Sequence, residues 1–307
     1  MNEIIQTSKA TKHFGAIRAV EAVDISVRKG EIYGFIGLNG AGKTTTIRMI
    51  LGMIRPTSGD VYLKGRKVDA GATDLWKITG YLVEAPYAYP DLTVFENLEI
   101  ARRLRGLESR TSVERIMEKL AITQYRDRKA RNLSQGNGQR LGIAKALIHD
   151  PEILILDEPA NGLDPAGIAE IRELLKDLAL NKGVTIFLSS HILGEISKFA
   201  TRIGIIHEGA LLQEVDAGEL DSLLRRRLLV RTEETARARS SLETWGYETS
   251  LNENGEIEIL GEEALSRSAS IVTELVKAGL PPVMVKPEEE DLETYFLRVI
   301  GSNGGAA

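Results

Sequence analysis

The sequence predicts an α/β fold, a mainly parallel sheet covered by helices on both faces, followed by a smaller α+β domain. Three observations carry that prediction. Residues 32–36, Ile-Tyr-Gly-Phe-Ile, form an apolar run that passes through a glycine-rich turn into a helix-patterned segment, Thr44 to Met53. Residues 153–156, Ile-Leu-Ile-Leu, are apolar without a break and lie between helical patterns at 140–149 and 167–180. Strands apolar at every position are buried on both faces, which is the condition of a parallel sheet between helices. Beyond about residue 219 the composition turns charged and the pattern restarts in the order β-α-β-β-α-β.

In chain order, residues 4–7 and 23–27 alternate apolar with polar and read as half-buried strands. Between them Lys12 to Ala16 reads as a turn carrying an exposed aromatic, Phe14. After the first helix come a loop at 55–60 and a strand at 60–63 with its turn at Lys64-Gly65. A further strand, 78–84, ends on Glu84. Residues 93–107 and 112–120 then place Val94, Leu98, Ala101 and Leu104, and Val113, Ile116, Met117 and Leu120, at helical spacing. These define a helical insert at about 86–132. Strands at 184–189 and 203–207 follow, the second before a turn at Glu208-Gly209. In the last part, strands are expected at 228–232, 247–251, 256–260 and 283–286, with the hairpin turn Asn254-Gly255. Helices are expected at 234–245, 265–278 and 291–300, with a frayed tail at 301–307.

The bulk numbers narrow the function classes. With 39 basic and 44 acidic residues the net charge is −5, without the basic excess of a nucleic-acid binder. There is no cysteine, which removes disulfides, thiolate metal sites and cysteine nucleophiles. The polar start of the chain lacks the apolar stretch of a secretory signal, and no window is apolar for long enough to span a bilayer.

The chemistry centres on Gly37-Leu-Asn-Gly-Ala-Gly-Lys-Thr-Thr45, which fits the phosphate-loop pattern in its required setting of strand, turn and helix. Backbone amides over Gly37, Asn39, Gly40, Ala41, Gly42, Lys43, Thr44 and Thr45 would converge on phosphate oxygens, with the helix dipole aimed at the same point. Lys43 would reach the outer phosphates and the Thr44 hydroxyl would take a place on Mg²⁺. The run at 153–156 ends on Asp157 and Glu158. Asp157 would hold Mg²⁺ through water, and Glu158 would orient or deprotonate the water attacking the γ-phosphate of ATP.

Leu133-Ser-Gln-Gly-Asn-Gly-Gln-Arg140 resembles the signature of ATP-binding cassette (ABC) ATPases, L-S-G-G-Q followed by x-Q-R. Ser134, Gly136, Gln139 and Arg140 match, whereas Gln135 and Asn137 depart from it. Asn161-Gly-Leu-Asp164 resembles the family's D-loop, His191 its switch histidine, and Phe14 its adenine-stacking aromatic. The resemblance covers about residues 3–220. It implies a P-loop NTPase cassette at 1–218, with a mainly parallel core, an antiparallel β piece and the helical insert, and an accessory domain at 219–307 of ferredoxin-like α+β type. It implies ATP and Mg²⁺ as ligands and catalytic roles for Glu158 and His191. It also implies a two-cassette assembly, most simply a homodimer but otherwise a pair with another cassette, in which Ser134 and Gly136 reach the ATP of the second monomer. The expected partner is an integral membrane permease, placing the subunit at the cytoplasmic face of the membrane.

The family usually carries glutamine where this chain has Glu84. That loop resembles the glutamate-bearing loop of ABC subunits serving bacitracin export and lantibiotic self-immunity, and Glu84 is expected on the metal. Tyr87, Tyr89 and Phe95 would give the region an aromatic surface for a helix of the permease. The competing reading is a soluble ABC ATPase or an ATP sensor uncoupled from transport.

Overall fold

The structure, a computed structural model, describes residues 3–69, 71–109, 111–252 and 254–303. The last four residues of the expected tail lie outside them. The chain forms two compact units, the first running to Gly218 and the second beginning at Glu219.

The first unit opens with a long hairpin, β1 (Glu3–Phe14) and β2 (Ile17–Arg28), and then β3 (Ile32–Ile36) and α1 (Lys43–Ile50). Next come β4 (Ser58–Leu63), β5 (Arg66–Lys67), α2 (Leu75–Ile78) and β6 (Thr79–Leu82). The insert supplies α3 (Val94–Leu104) and α4 (Thr111–Lys119), and α5 (Gln135–Leu147) follows it. The unit closes with β7 (Ile153–Leu156), α6 (Pro165–Lys182), β8 (Thr185–Ser190), α7 (Leu193–Ile196), β9 (Arg202–His207) and β10 (Ala210–Asp216).

Two sheets share one core. The antiparallel sheet has the order β2-β1-β4-β5, and the six-stranded sheet the order β10-β9-β3-β8-β7-β6. In the second sheet only the β9–β10 pairing is antiparallel. Every residue of β3, β7 and β8 is buried, as the unbroken apolar runs of β3 and β7 require. Tyr33 and Phe187 stack with centroids 5.4 Å apart, Phe35 tilts against Phe187 at the same distance, and Ile5, Val27 and Val61 of the antiparallel sheet join that cluster. Because β3, β7 and β8 are neighbours and parallel, their C-terminal ends bring Gly37, Asp157 and His191 to one edge of the sheet. In an open α/β sheet that edge is where ligands bind.

The insert begins with a full capping box: the Thr93 hydroxyl accepts from the Glu96 amide at 3.2 Å, and the Glu96 carboxylate accepts from the Thr93 amide at 2.7 Å. Its amphipathic face is buried through Val94, Leu98, Val113, Ile116 and Met117.

The second unit contains α8 (Leu220–Leu223), β11 (Arg226–Thr232), α9 (Thr235–Thr244), β12 (Thr249–Leu251), β13 (Ile257–Leu260), α10 (Glu262–Ser266), α11 (Ser268–Lys277), β14 (Pro282–Glu289) and α12 (Leu292–Asn303). Its four strands pair antiparallel in the order β12-β13-β11-β14. Leu228, Val230, Ile257 and Ile259 pack against Ala238, Leu242, Ile271 and Leu275 of the helices. From β11, Arg227 pairs with Glu258 on β13 and Glu288 on β14.

The structure corrects the local reading in three places. The first two strands run twelve residues each, and the turn shrinks to Gly15-Ala16, because register shifts let the hairpin continue through polar positions. After the turn at Glu208-Gly209 the chain doubles back as β10, an edge strand whose mostly half-buried residues give a weak apolar signal. The helix expected at 265–278 is two helices, α10 and α11, divided at Arg267. Among the described residues no helix is long and apolar enough to cross a membrane.

Candidate functional site

The loop after β3 turns tightly enough that Gly42 adopts φ +106°, and a Cβ there would stand 2.6 Å from the Ala19 carbonyl. Only glycine fits both conditions. The loop is tied to the sheet by the Gly37 amide donating to the Ser190 carbonyl at 3.2 Å and the Gly209 amide donating to Ala41 at 3.0 Å. Asn39 and Gly40 are exposed, Thr44 and Thr45 half-buried.

Lys43 is 6% exposed and its ammonium is shared among three acceptors. It donates to the carbonyls of Gly37 at 2.7 Å and Leu38 at 3.2 Å, and lies 3.3 Å from Glu158 Oε1. The other oxygen of Glu158 is 2.9 Å from His191 Nδ1. One carboxylate therefore links the phosphate loop to the end of β8. Glu158 sits at φ +49°, a conformation that costs a non-glycine residue energy and must be held by its surroundings. The holders are Ser189, whose hydroxyl accepts from the Glu158 amide at 2.9 Å, and Gln139, which donates to the carbonyls of Glu158 and Pro159 at 3.2 Å each.

Asp157 is 2% exposed. It accepts from the Ser189 hydroxyl at 2.6 Å and the Thr44 hydroxyl at 2.8 Å. A buried carboxylate beside a hydroxyl supplies the hard oxygen donors that suit Mg²⁺. The expected third donor is not there. Glu84 approaches Asp157 only through its amide, at 3.4 Å, while its carboxylate pairs with Arg48 of α1 at 2.5 Å. With the Glu84 carboxylate held by Arg48, the structure does not bring it to the metal donors.

Ser134, Gly136 and Asp164 lie together in a separate concavity of about 610 Å³, which Tyr125 and Gln124 also line. Ser134 caps α5 by accepting from the Asn137 amide at 3.3 Å, and Asp164 caps α6 by accepting from Gly167 at 2.9 Å. The departure at Gln135 has a local explanation. Its side chain lies over Gly162, where a Cβ would meet Gln135 atoms at 2.4 and 2.5 Å, so the larger residue packs on the D-loop of its own chain. Phe14 ends β1, is 48% exposed, and has the Lys12 ammonium 5.1 Å from its ring centroid.

Ser189 and Arg48 are contributors that pattern reading overlooked, and Gln139, read only as part of the signature, turns out to support Glu158. The signal for Ser189 was a polar pair, Ser189-Ser190, closing an otherwise apolar strand.

Residues 20–161 match the family described as ABC transporter. The chain is 38% identical over 303 residues to the bacitracin transport ATP-binding protein BcrA of Bacillus licheniformis, covering 98% of each chain. It is 36% identical over 229 residues to the lantibiotic transport ATP-binding protein SrtF of Streptococcus pyogenes, covering 74% of this chain and 98% of the relative. Among solved structures, a dimeric ATP-binding cassette in a post-hydrolysis state with ADP and Pi superposes with TM-score 0.65 at 27% identity, covering 70% of this chain and 99% of that one. With a phosphate loop, an adjacent Asp-Glu pair and a histidine at one sheet edge, and a relative that aligns from end to end, the chain belongs to the ABC transporter family as an ATP-binding, ATP-hydrolysing subunit.

Proposed function

We propose that the protein energises export of an antimicrobial peptide of the bacitracin or lantibiotic class, acting as a homodimer on the cytoplasmic side of a membrane permease. End-to-end similarity to BcrA supports the class, and the Lys43–Glu158–His191 linkage carries the chemistry. Lys43 stabilises γ-phosphate charge by leaving Glu158 for the phosphate, which frees that carboxylate to take a proton from water. His191 holds the other carboxylate oxygen and keeps it aimed. Mg²⁺, held by Thr44 and Asp157, would neutralise charge on the β- and γ-phosphates. Ser134 and Gly136, in their own concavity, serve ATP bound to the second copy. Phe14 contributes a ring face to the adenine.

The permease docks on a groove of about 450 Å³ lined by Met53, Glu84, Tyr87, Tyr89, Leu104 and Lys145. Tyr87 and Tyr89 meet edge to face at 5.7 Å, and Leu104 is 80% exposed. Phe95 takes another role, beneath the Arg126 guanidinium at 3.9 Å. Glu84, paired with Arg48, ties that groove to the phosphate-loop helix rather than to the metal. The second unit, whose strand order fits a ferredoxin-like sandwich, supports the dimer or contacts the permease.

The test is bacitracin and lantibiotic tolerance in a sensitive host expressing this chain with its permease. The proposal expects tolerance that disappears with Lys43→Ala; tolerance unchanged by that substitution would contradict it.

A further inference from the structure

A cavity of about 620 Å³ opens at the end of the sheet opposite the nucleotide site, beneath the first residues of β7 and β8. The four residues of β7 separate the two sites by about 13 Å, at roughly 3.3 Å per residue. The floor is apolar: Ile116, Leu147, Ile153, Leu178 and Val184, contributed by the insert helix α4 and by the core. The rim is cationic, with Lys29, Lys64, Arg115, Lys119 and Lys182 against only Asp150 and Glu152. Both carboxylates are taken, Glu152 by Lys64 and Asp150 by Arg115, each at 2.6 Å. Lys29, Lys119 and Lys182 have no ion-pair partner among the described residues.

Lys119 ends α4 and Lys182 ends α6, and a helix C-terminus favours a lysine at either place alone. That does not account for both lining one cavity over the same apolar floor. Burial, and then the neighbouring Lys182 ammonium, holds Lys119 below the ordinary lysine value, with Asp177 and Asp150 acting the other way. Two like charges brought together over an apolar floor, on a chain of net charge −5, are an arrangement that an anion would relieve. Volume and lining also match those of small-molecule sites, apolar with a few convergent polar groups.

We propose that this cavity binds a small amphiphilic anion, a carboxylate or phosphate monoester. Its head group sits between Lys119 and Lys182, and its hydrocarbon lies along Ile116, Leu147 and Leu178. The head is recognised by charge-assisted hydrogen bonds from both ammoniums, and the tail by burial of apolar surface.

Calorimetric titration of the full chain, with ADP saturating the phosphate loop, tests this using octyl phosphate and octanoate. Octanol, inorganic phosphate and phosphatidylglycerol vesicles are the controls. The proposal expects both octyl anions to bind. It expects octanol, inorganic phosphate and the Lys119→Gln/Lys182→Gln variant each to weaken the interaction by about tenfold or more, the loss of one charged hydrogen bond or more. Lys64→Gln, at a rim lysine already paired with Glu152, should change it by no more than about twofold. Equal binding of inorganic phosphate, indifference to the double substitution, or binding to vesicles without binding of free octyl phosphate would each overturn the assignment.

Discussion

Lys43 is 6% exposed and shared among two loop carbonyls and Glu158 of its own chain, whereas Ser134 is exposed beside an open concavity and only caps its helix. Both loops precede helices, and both match the same family. The difference is in what each has finished. Around Lys43, acceptors, carboxylates and the supporting Ser189 and Gln139 come from β3, β7, β8 and α5 of one polypeptide. Around Ser134, the chain supplies donors and a concave wall whose charged groups are already engaged within the chain, Asp164 capping α6 and Arg140 paired with Glu170. A site assembled from a completed half and an uncompleted half calls for a second copy, related so that each contributes the opposite half.

The largest effect should come from breaking the completed half. Glu158→Gln removes the proton acceptor but keeps a side chain able to meet His191. ATP turnover should fall by about 10²- to 10⁴-fold, the range for a positioned general base, with ATP binding retained. Measured by phosphate release and nucleotide titration, an undiminished rate would reassign the base. The same variant should accumulate as a dimer in ATP on size exclusion, because the closed pair forms and cannot reset.

A smaller effect sharpens the contrast from the other side. His149, just past the end of α5, anchors the helix that carries Ser134 through a 3.3 Å contact between its Nε2 and the Thr79 carbonyl of β6. Burial first, and the Arg105 guanidinium second, push its pKa down to about 4. A histidine kept neutral in the fold stabilises the folded state fully above its unfolded pKa of about 6.5, and that stability is lost as pH falls toward 4. Because the ring is only partly buried, the loss should be about 1–2 kcal/mol after solvent screening. Denaturant titrations of His149→Gln should show a flatter pH dependence between those values; an identical slope would remove the titration from this histidine.

What the sequence revealed follows the range of the forces involved. The phosphate loop was legible because its function uses consecutive backbone amides, and β7 because burial on both faces demands Ile-Leu-Ile-Leu without a polar break. The insert was legible from helical spacing, though not its capping geometry at Thr93. Pairings between distant residues were not legible. Nothing local to Glu84 announces that Arg48, thirty-six residues earlier, will claim its carboxylate. Likewise Ser189 gains its role only when the β7–β8 register brings it beside Asp157. The departure at Gln135 became intelligible only with Gly162 beneath it.

The claim that one chain's Ser134 loop completes the other chain's Lys43 loop is tested most directly by mixing two inactive proteins, Lys43→Ala and Ser134→Arg. Random pairing in a two-fold dimer leaves one intact composite site in half of the pairs, so ATPase activity should return to about a quarter of the unmodified level. If both halves of each site came from the same chain, the mixture would stay as inactive as its components, and the account would be wrong.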